Sequence, residues 1–155
     1  MESVTQRFAT PRVAAGALFV SASGKVLLVR KTYGNRWDIP GGYVDGGESP
    51  AQACSRELAE EIGLQRQPRR VLAVDWAPTE HDGDKLLWVF DCGDLADDEH
   101  RIQLDSNELD SWDWVPVHEL DDYLIPRLAR RLKQAHAAHE KGCMVYLEHG
   151  EPTME

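Results

Sequence analysis

Cysteine is scarce in this chain: Cys54, Cys92 and Cys143 are an odd number, widely spaced among 155 residues. Neither a disulfide framework nor a zinc cage follows from that spacing. Long apolar runs are missing, and none approaches the roughly eighteen residues a membrane helix needs, so no membrane partner is expected. The start, Met1-Glu2-Ser3-Val4-Thr5, lacks the basic head and apolar middle of a signal peptide. Positive charge is also short. Seventeen Lys and Arg stand against 27 Asp and Glu, for a net charge of −10. A groove that grips a nucleic-acid duplex through its phosphates wants the opposite balance. What is present, 42% hydrophobic and 28% charged residues, is ordinary for a folded globule. The expectation is one cytoplasmic domain over 1–155, polar and loose over 1–11, with a tail at 142–155.

Val13 to Val20 is a run of small and β-branched residues suited to a buried strand, and Lys25 to Arg30 reads as a second. Ser21-Ala22-Ser23-Gly24 between them has turn composition, so the two are expected to form a hairpin. Pro40, Gly41, Gly42, Gly46 and Gly47 then make a glycine-rich loop, with a short strand at Tyr43-Val44. Ser49-Pro50-Ala51-Gln52 predicts a helix start, with a capping box and Pro at the first helical position. Gly63 is placed to end that helix in the left-handed conformation. Strands are expected at Arg70–Asp75, Lys85–Cys92 and Ser111–Val115. Leucines 120, 124, 128 and 132 mark C-terminal helix, which Pro126 divides. The class is α/β.

The chemistry sits in Gly42 to Leu64. With Glu57 at zero on a helical wheel, Glu60 falls near about −60° and Glu61 near about +40°. Ala51, Cys54, Leu58 and Ile62 gather at about +60° to +140°, a separate apolar stripe. Three carboxylates therefore share one face, where like charges repel by roughly a few tenths of a kcal/mol per pair. Arg56 can pair with Glu60 at i,i+4 but cannot satisfy all three, and Glu48 adds a fourth carboxylate just before the cap. A hard divalent cation answers that arrangement, since magnesium takes oxygen ligands and bridges carboxylates to phosphates. The glycines ahead of the helix let backbone approach such an ion or a phosphate. On a chain of charge −10, a polyphosphate is repelled unless metal mediates the contact.

An isolated E-x-x-E-E is usually solvated surface. Here it is embedded in a longer pattern of seven fixed identities, Gly42, Glu48, Arg56, Glu57, Glu60, Glu61 and Gly63, with aliphatic Leu58 and Leu64. At average residue usage that pattern arises by chance on the order of once in 10⁸ starting points or rarer.

This 23-residue segment resembles the signature of the Nudix hydrolases at every defining position. Trp37-Asp38-Ile39-Pro40-Gly41 is similar to the family's lead-in, and the resemblance extends over roughly residues 12 to 135. It implies an α/β/α sandwich with a mixed β-sheet between helices. The implied reaction is hydrolysis of a nucleoside diphosphate linked to another moiety, with Mg²⁺ or Mn²⁺. Carried over residue by residue, Glu57, Glu60 and Glu61 hold metal with the Gly42 carbonyl, while Arg56 and Glu48 pair to orient the loop. A carboxylate must take the proton from the attacking water. Glu60 and Glu61 are candidates, as is Glu108, whose place six residues before Trp114 resembles that of a base or metal-binding glutamate in some relatives.

Arg12 and Arg30 are candidate phosphate partners, and Tyr33 and Trp37 lie where relatives contact substrate. Trp37 reads equally well as core. Trp76, Trp88, Trp112 and Trp114 read as packing residues, and His136 and His139, like the basic C-terminal helix, as solvated surface. Cys54 falls on the buried side of its helix. Nucleoside triphosphates, ADP-ribose, nucleotide sugars and dinucleoside polyphosphates all remain open as substrates. A non-catalytic nucleotide sensor of the same fold is the alternative, although it calls for eroded glutamates. Cys143 to Leu147 is expected to form a strand that packs on a second subunit, which makes a homodimer.

Overall fold

The structure, a computed structural model, describes residues 7–154. Strand β1 (Arg12–Leu18) lies parallel to β6 (Lys85–Asp91) and antiparallel to the short β4 (Gly41–Tyr43). On the far side of β6 come β5 (Arg70–Trp76), β8 (Val145–Glu148) and β9 (Glu151–Pro152). β5 pairs antiparallel with β6 and parallel with β8, and β9 pairs antiparallel with β8, so this six-stranded sheet is mixed. A second, antiparallel sheet has β2 (Val26–Lys31) between β3 (Trp37–Asp38) and β7 (Leu109–Val115).

The expected hairpin of the first two strands does not form. The strands join different sheets, and only a bridge from Val20 to Val26 links the ends of the turn. The reason lies in burial on both faces. Leu18, Val26 and Leu28 enter one core, whereas Ala15, Ala17, Leu27 and Val29 enter the other. A strand apolar on both faces needs cover on both, and partners distant in sequence supply it.

Two helices complete the sandwich. Helix α1 (Pro50–Ile62) packs Ala53, Cys54, Leu58 and Ile62 into one core. It has the capping box of Ser49 with Gln52, and Gly63 ends it at φ 71°. Short α2 (Leu120–Tyr123) and longer α3 (Pro126–Lys141) are divided at Pro126 as expected, and α3 covers the other core with Leu128, Ala129, Leu132 and Ala135. No helix among the described residues is long and apolar enough to cross a membrane.

Two surface expectations need correction. Arg131 is buried, donating from Nε to Asp75 Oδ2 at 2.6 Å, so α3 is not simply a wet basic face. His139 Nδ1 lies 3.1 Å from Asp91 and His136 Nε2 lies 3.0 Å from the Gly24 carbonyl; both rings are partly covered. The strand within Cys143–Leu147 pairs with β5 of its own chain, because β5 would otherwise leave an open edge. Of the expected loose segment, residues 1–6 lie outside the described residues, and Pro11 leads directly into β1.

Candidate active site

Helix α1 carries the carboxylates, but their surroundings differ sharply. The Glu60 side chain is 58% exposed, whereas that of Glu61 is 2% exposed. The helical wheel contains the reason: Glu61, near about +40°, borders the apolar stripe that begins with Cys54 near about +60°. Burial pushes the Glu61 carboxyl up to about 7, against the Gly41 N–H and Lys31, which lower it. Gly41 N donates to Glu61 Oε1 at 2.7 Å, and Lys31 Nζ stands 3.8 Å from Oε2. The register of β2 against β7 shifts between Arg30 and Lys31, a bulge beside the site. Burial also raises Glu57, opposed by its hydrogen bond from Arg56.

Arg56 joins the loop to the helix. Its Nε and Nη2 donate to the two oxygens of Glu48, Nη2 also donates to the Tyr43 carbonyl, and Nη1 donates to Glu57 and Glu60. The paired Arg56 bonds and the Asp45 N–H hold Glu48 down to about 2, and Glu48 in turn keeps Arg56 firmly protonated. Arg56 thus meets three of the four acidic groups, and Gly41 with Lys31 meets Glu61.

Strand β4 presses closely on this face. A Cβ on Gly42 would come 2.7 Å from Glu57 Oε1, so only glycine leaves room for that carboxylate against the backbone. Three carboxylates on one helix face, Glu57 and Glu61 of them beside bare backbone, form a hard oxygen donor set, which fits magnesium or manganese. Among the described residues no three such groups already converge for a metal, because Arg56 draws on Glu57 and Glu60 while Glu61 turns to Gly41. Arg56 takes one oxygen of each, Glu57 Oε1 and Glu60 Oε2.

Glu108 is exposed, on the loop before β7. That loop is tied in by the Thr32 N–H on the Glu108 carbonyl and the Asp105 N–H on the Glu61 carbonyl. Beyond the effect of burial, the charge of Glu108 contributes to raising both Glu57 and Glu61.

A cleft of about 330 Å³ opens beside the carboxylates, lined by Lys31, Asp38, Gly41, Gly42 and the start of α3. The other candidate substrate residues lie outside it. Arg12 pairs with Asp82 at 3.3 Å on the outer rim, and Arg30 donates to Asn35. Tyr33 is exposed on the β2–β3 loop. Trp37 packs partly buried on the core, edge-to-face with Tyr123 at 5.3 Å between ring centroids. Lys31, Asp38 and Arg36 escaped the sequence reading. For Lys31 a signal existed, since period-two alternation puts it on the face of Leu27 and Val29, towards α1. The tryptophans of β6 and β7 pack as expected, and Trp114 Nε1 donates to Glu99. Cys54 is buried, 4.0 Å from Cys92 between sulfurs.

Residues 10–138 match the family model of the NUDIX domain. An RNA pyrophosphohydrolase of Hydrogenovibrio crunogenus is 33% identical over 129 residues, covering 72% of this chain and 73% of the relative. One from Agrobacterium fabrum is 31% identical over 143 residues, covering 74% and 83%. Among solved structures, a MutT protein from Methanosarcina mazei Go1 superposes with a TM-score of 0.67 at 23% identity, over 87% of this chain and 97% of that one. A UDP-X diphosphatase superposes with a TM-score of 0.70 at 21% identity, over 92% and 69%. These likenesses confirm the α/β sandwich. With Glu57 and Glu61 of the signature set against Gly42 and Gly41, and with the domain match spanning most of the sequence, the chain belongs to the Nudix hydrolase family.

Proposed function

We propose that this hydrolase is a divalent-metal-dependent pyrophosphohydrolase. Its substrate is a nucleoside diphosphate linked to another moiety, such as a nucleoside triphosphate, ADP-ribose or a nucleotide sugar. The observation that carries the reading is the seating of Glu57 and Glu61 against the glycine strand β4, with Arg56 joining Glu48 to Glu57 and Glu60. Glu57, Glu60, Glu61 and the Gly42 carbonyl would hold Mg²⁺ or Mn²⁺, which supplies charge neutralisation at the diphosphate and acidifies the attacking water.

The chain's own groups do the rest. Lys31, between Glu61 and the cleft, supplies positive charge to a phosphate entering there. Arg56 positions Glu48 and the loop, so the glycines hold their approach to substrate. Water attacks phosphorus, a phosphate group departs, and a carboxylate accepts the proton. Glu108 is the proposed acceptor: it is solvent-accessible and its loop is anchored to the helix that carries Glu61. A purely sensing role is disfavoured, because no member of the glutamate set is lost.

The names of the curated relatives extend the candidate class to the triphosphate end of an RNA strand, which is also a nucleotide anhydride. Incubation with Mg²⁺ in ¹⁸O-water should separate these substrates. The panel comprises nucleoside triphosphates, ADP-ribose, nucleotide sugars, dinucleoside polyphosphates and a 5′-triphosphorylated oligoribonucleotide. The expected result is solvent oxygen in one phosphate-bearing product of at least one compound, abolished by chelator. Turnover of none, with tight binding of one, would establish the sensor instead.

A further inference from the structure

The cleft beside the carboxylates gathers positive charge on a chain whose net charge is −10. Lys31, Arg36, Lys85, Arg127 and Arg131 line it, against a single carboxylate, Asp38. Two of these cations are matched: Lys31 stands beside Glu61, and Lys85 Nζ lies 2.7 Å from Asp82. Arg36 and Arg127 have no carboxylate within 4.0 Å among the described residues. Arg131 is different again, because it is only 9% exposed. Its Nε donates to Asp75 Oδ2 at 2.6 Å, and the Gly150 N–H holds the other Asp75 oxygen at 3.1 Å. Neither Nη of Arg131 has a hydrogen bond among the described residues. Nor is either sealed in protein: Trp88 Nε1 is the one enclosed side-chain polar atom without a partner among those residues. Since Arg131 lines the cleft, these two donors open onto it.

The start of α3 adds to this charge. Ile125 at its N-cap gives no side-chain bond to the first-turn N–H groups, and Ile125, Arg127 and Leu128 all line the cleft. The positive end of a sixteen-residue helix therefore faces the same space as Arg131. A planar fork of guanidinium donors, held in place from behind by a carboxylate, matches the oxygens of a phosphate group. We propose that Arg131, held by Asp75, and Arg127 form a subsite for a phosphate beyond the two joined by the bond that is cleaved. The substrate then carries three or more phosphates in a row. The neutral sugar of ADP-ribose or of a nucleotide sugar carries no such charge and leaves the fork without a matching anion, which costs affinity.

The inference rests on the pyrophosphohydrolase reading of the site, and two measurements separate them. The first is calorimetric titration of inorganic triphosphate with chelator present, which needs neither metal nor turnover. The wild-type protein should bind it saturably, and Arg127→Gln and Arg131→Lys should each weaken binding about tenfold. The second is kcat/KM for pairs that share a base, ATP against ADP-ribose and GTP against GDP-mannose. The wild type should favour the triphosphate at least about tenfold in each pair, with the difference in KM. Each variant should lower the triphosphate value about tenfold and leave the sugar-bearing member within about 2-fold. Arg131→Lys keeps a cation for Asp75, and Arg127 is exposed, so an unchanged thermal midpoint in Arg127→Gln guards against misfolding as the cause. If inorganic triphosphate does not bind, or if the wild type treats both members of each pair equally, the subsite does not exist. A preference that follows the base rather than the phosphates, or variants that lower both members alike, would overturn it as well. If no compound is hydrolysed at all, the pyrophosphohydrolase reading falls, and the chelator titration alone decides the subsite.

Discussion

Arg56 holds Glu48 with two parallel bonds, Nε to Oε2 at 2.8 Å and Nη2 to Oε1 at 2.9 Å, across eight residues that include the cap of α1. The pair fixes where the glycine loop stands relative to the helix, because Nη2 also reaches the Tyr43 carbonyl. Removing Glu48 frees the guanidinium to compete more strongly for Glu57 and Glu60. Glu48→Ala should therefore lower kcat about 10- to 100-fold, the scale seen when partners that orient metal ligands are lost. Steady-state assays with the preferred nucleotide substrate test this, and circular dichroism should show the helix retained.

The two glycines of β4 should respond differently to alanine. At Gly41, φ is 150° and a Cβ would lie 2.3 Å from the Ala15 carbonyl oxygen, which is backbone and cannot yield cheaply. Gly41→Ala should destabilise the fold by about 2 kcal/mol or more. At Gly42 the obstacle is the Glu57 carboxylate, the movable end of a side chain. Gly42→Ala should change stability by less than about 1 kcal/mol while reducing kcat at least about 10-fold. Urea unfolding and kinetics on both variants check the contrast.

The proton acceptor can be tested on the loop before β7. Glu108→Gln should lower kcat by about 10²-fold or more with KM nearly unchanged, as befits a group acting in proton transfer. Glu80→Gln, an exposed turn substitution, is the control and should be silent. Equal effects of the two would remove Glu108 from the reaction.

Arg131 and Asp75 form a buried pair behind the cleft, and Gly150 N donates to the second Asp75 oxygen at 3.1 Å. Removing one partner strands a charge in the interior. Arg131→Met should cost about 3–5 kcal/mol of stability, and the Asp75→Asn, Arg131→Met double variant clearly less than the sum of the single ones. Chemical denaturation of the four proteins completes the cycle.

Local signals in the sequence were reliable where local physics decides the outcome. The Ser49–Gln52 capping box, the left-handed Gly63 and the break at Pro126 all follow from residues within one turn of each other. The glutamate face was legible for the same reason. Pairing of β1 with β6, some seventy residues away, was not, because both turn-linked strands are apolar on each face and alternation cannot choose a partner. The tail strand was visible as a strand, but its place beside β5 depends on an edge that only the assembled sheet presents. The place of Asp38 on the cleft was hidden inside the family lead-in, because α3 and β6, distant in sequence, build the cleft around it. Trp37, equally suited to base or core by sequence, meets Tyr123, a neighbour eighty-six positions away that local pattern does not reveal.

The most direct test is calorimetric titration of Mn²⁺ into the wild-type protein and into Glu57→Gln, Glu60→Gln and Glu61→Gln, with and without bound nucleotide. Saturable binding to the wild type, weakened at least about tenfold by each substitution, is what gathered carboxylates on α1 predict. No uptake by the wild type under either condition, or uptake indifferent to all three substitutions, would contradict a metal-dependent hydrolase.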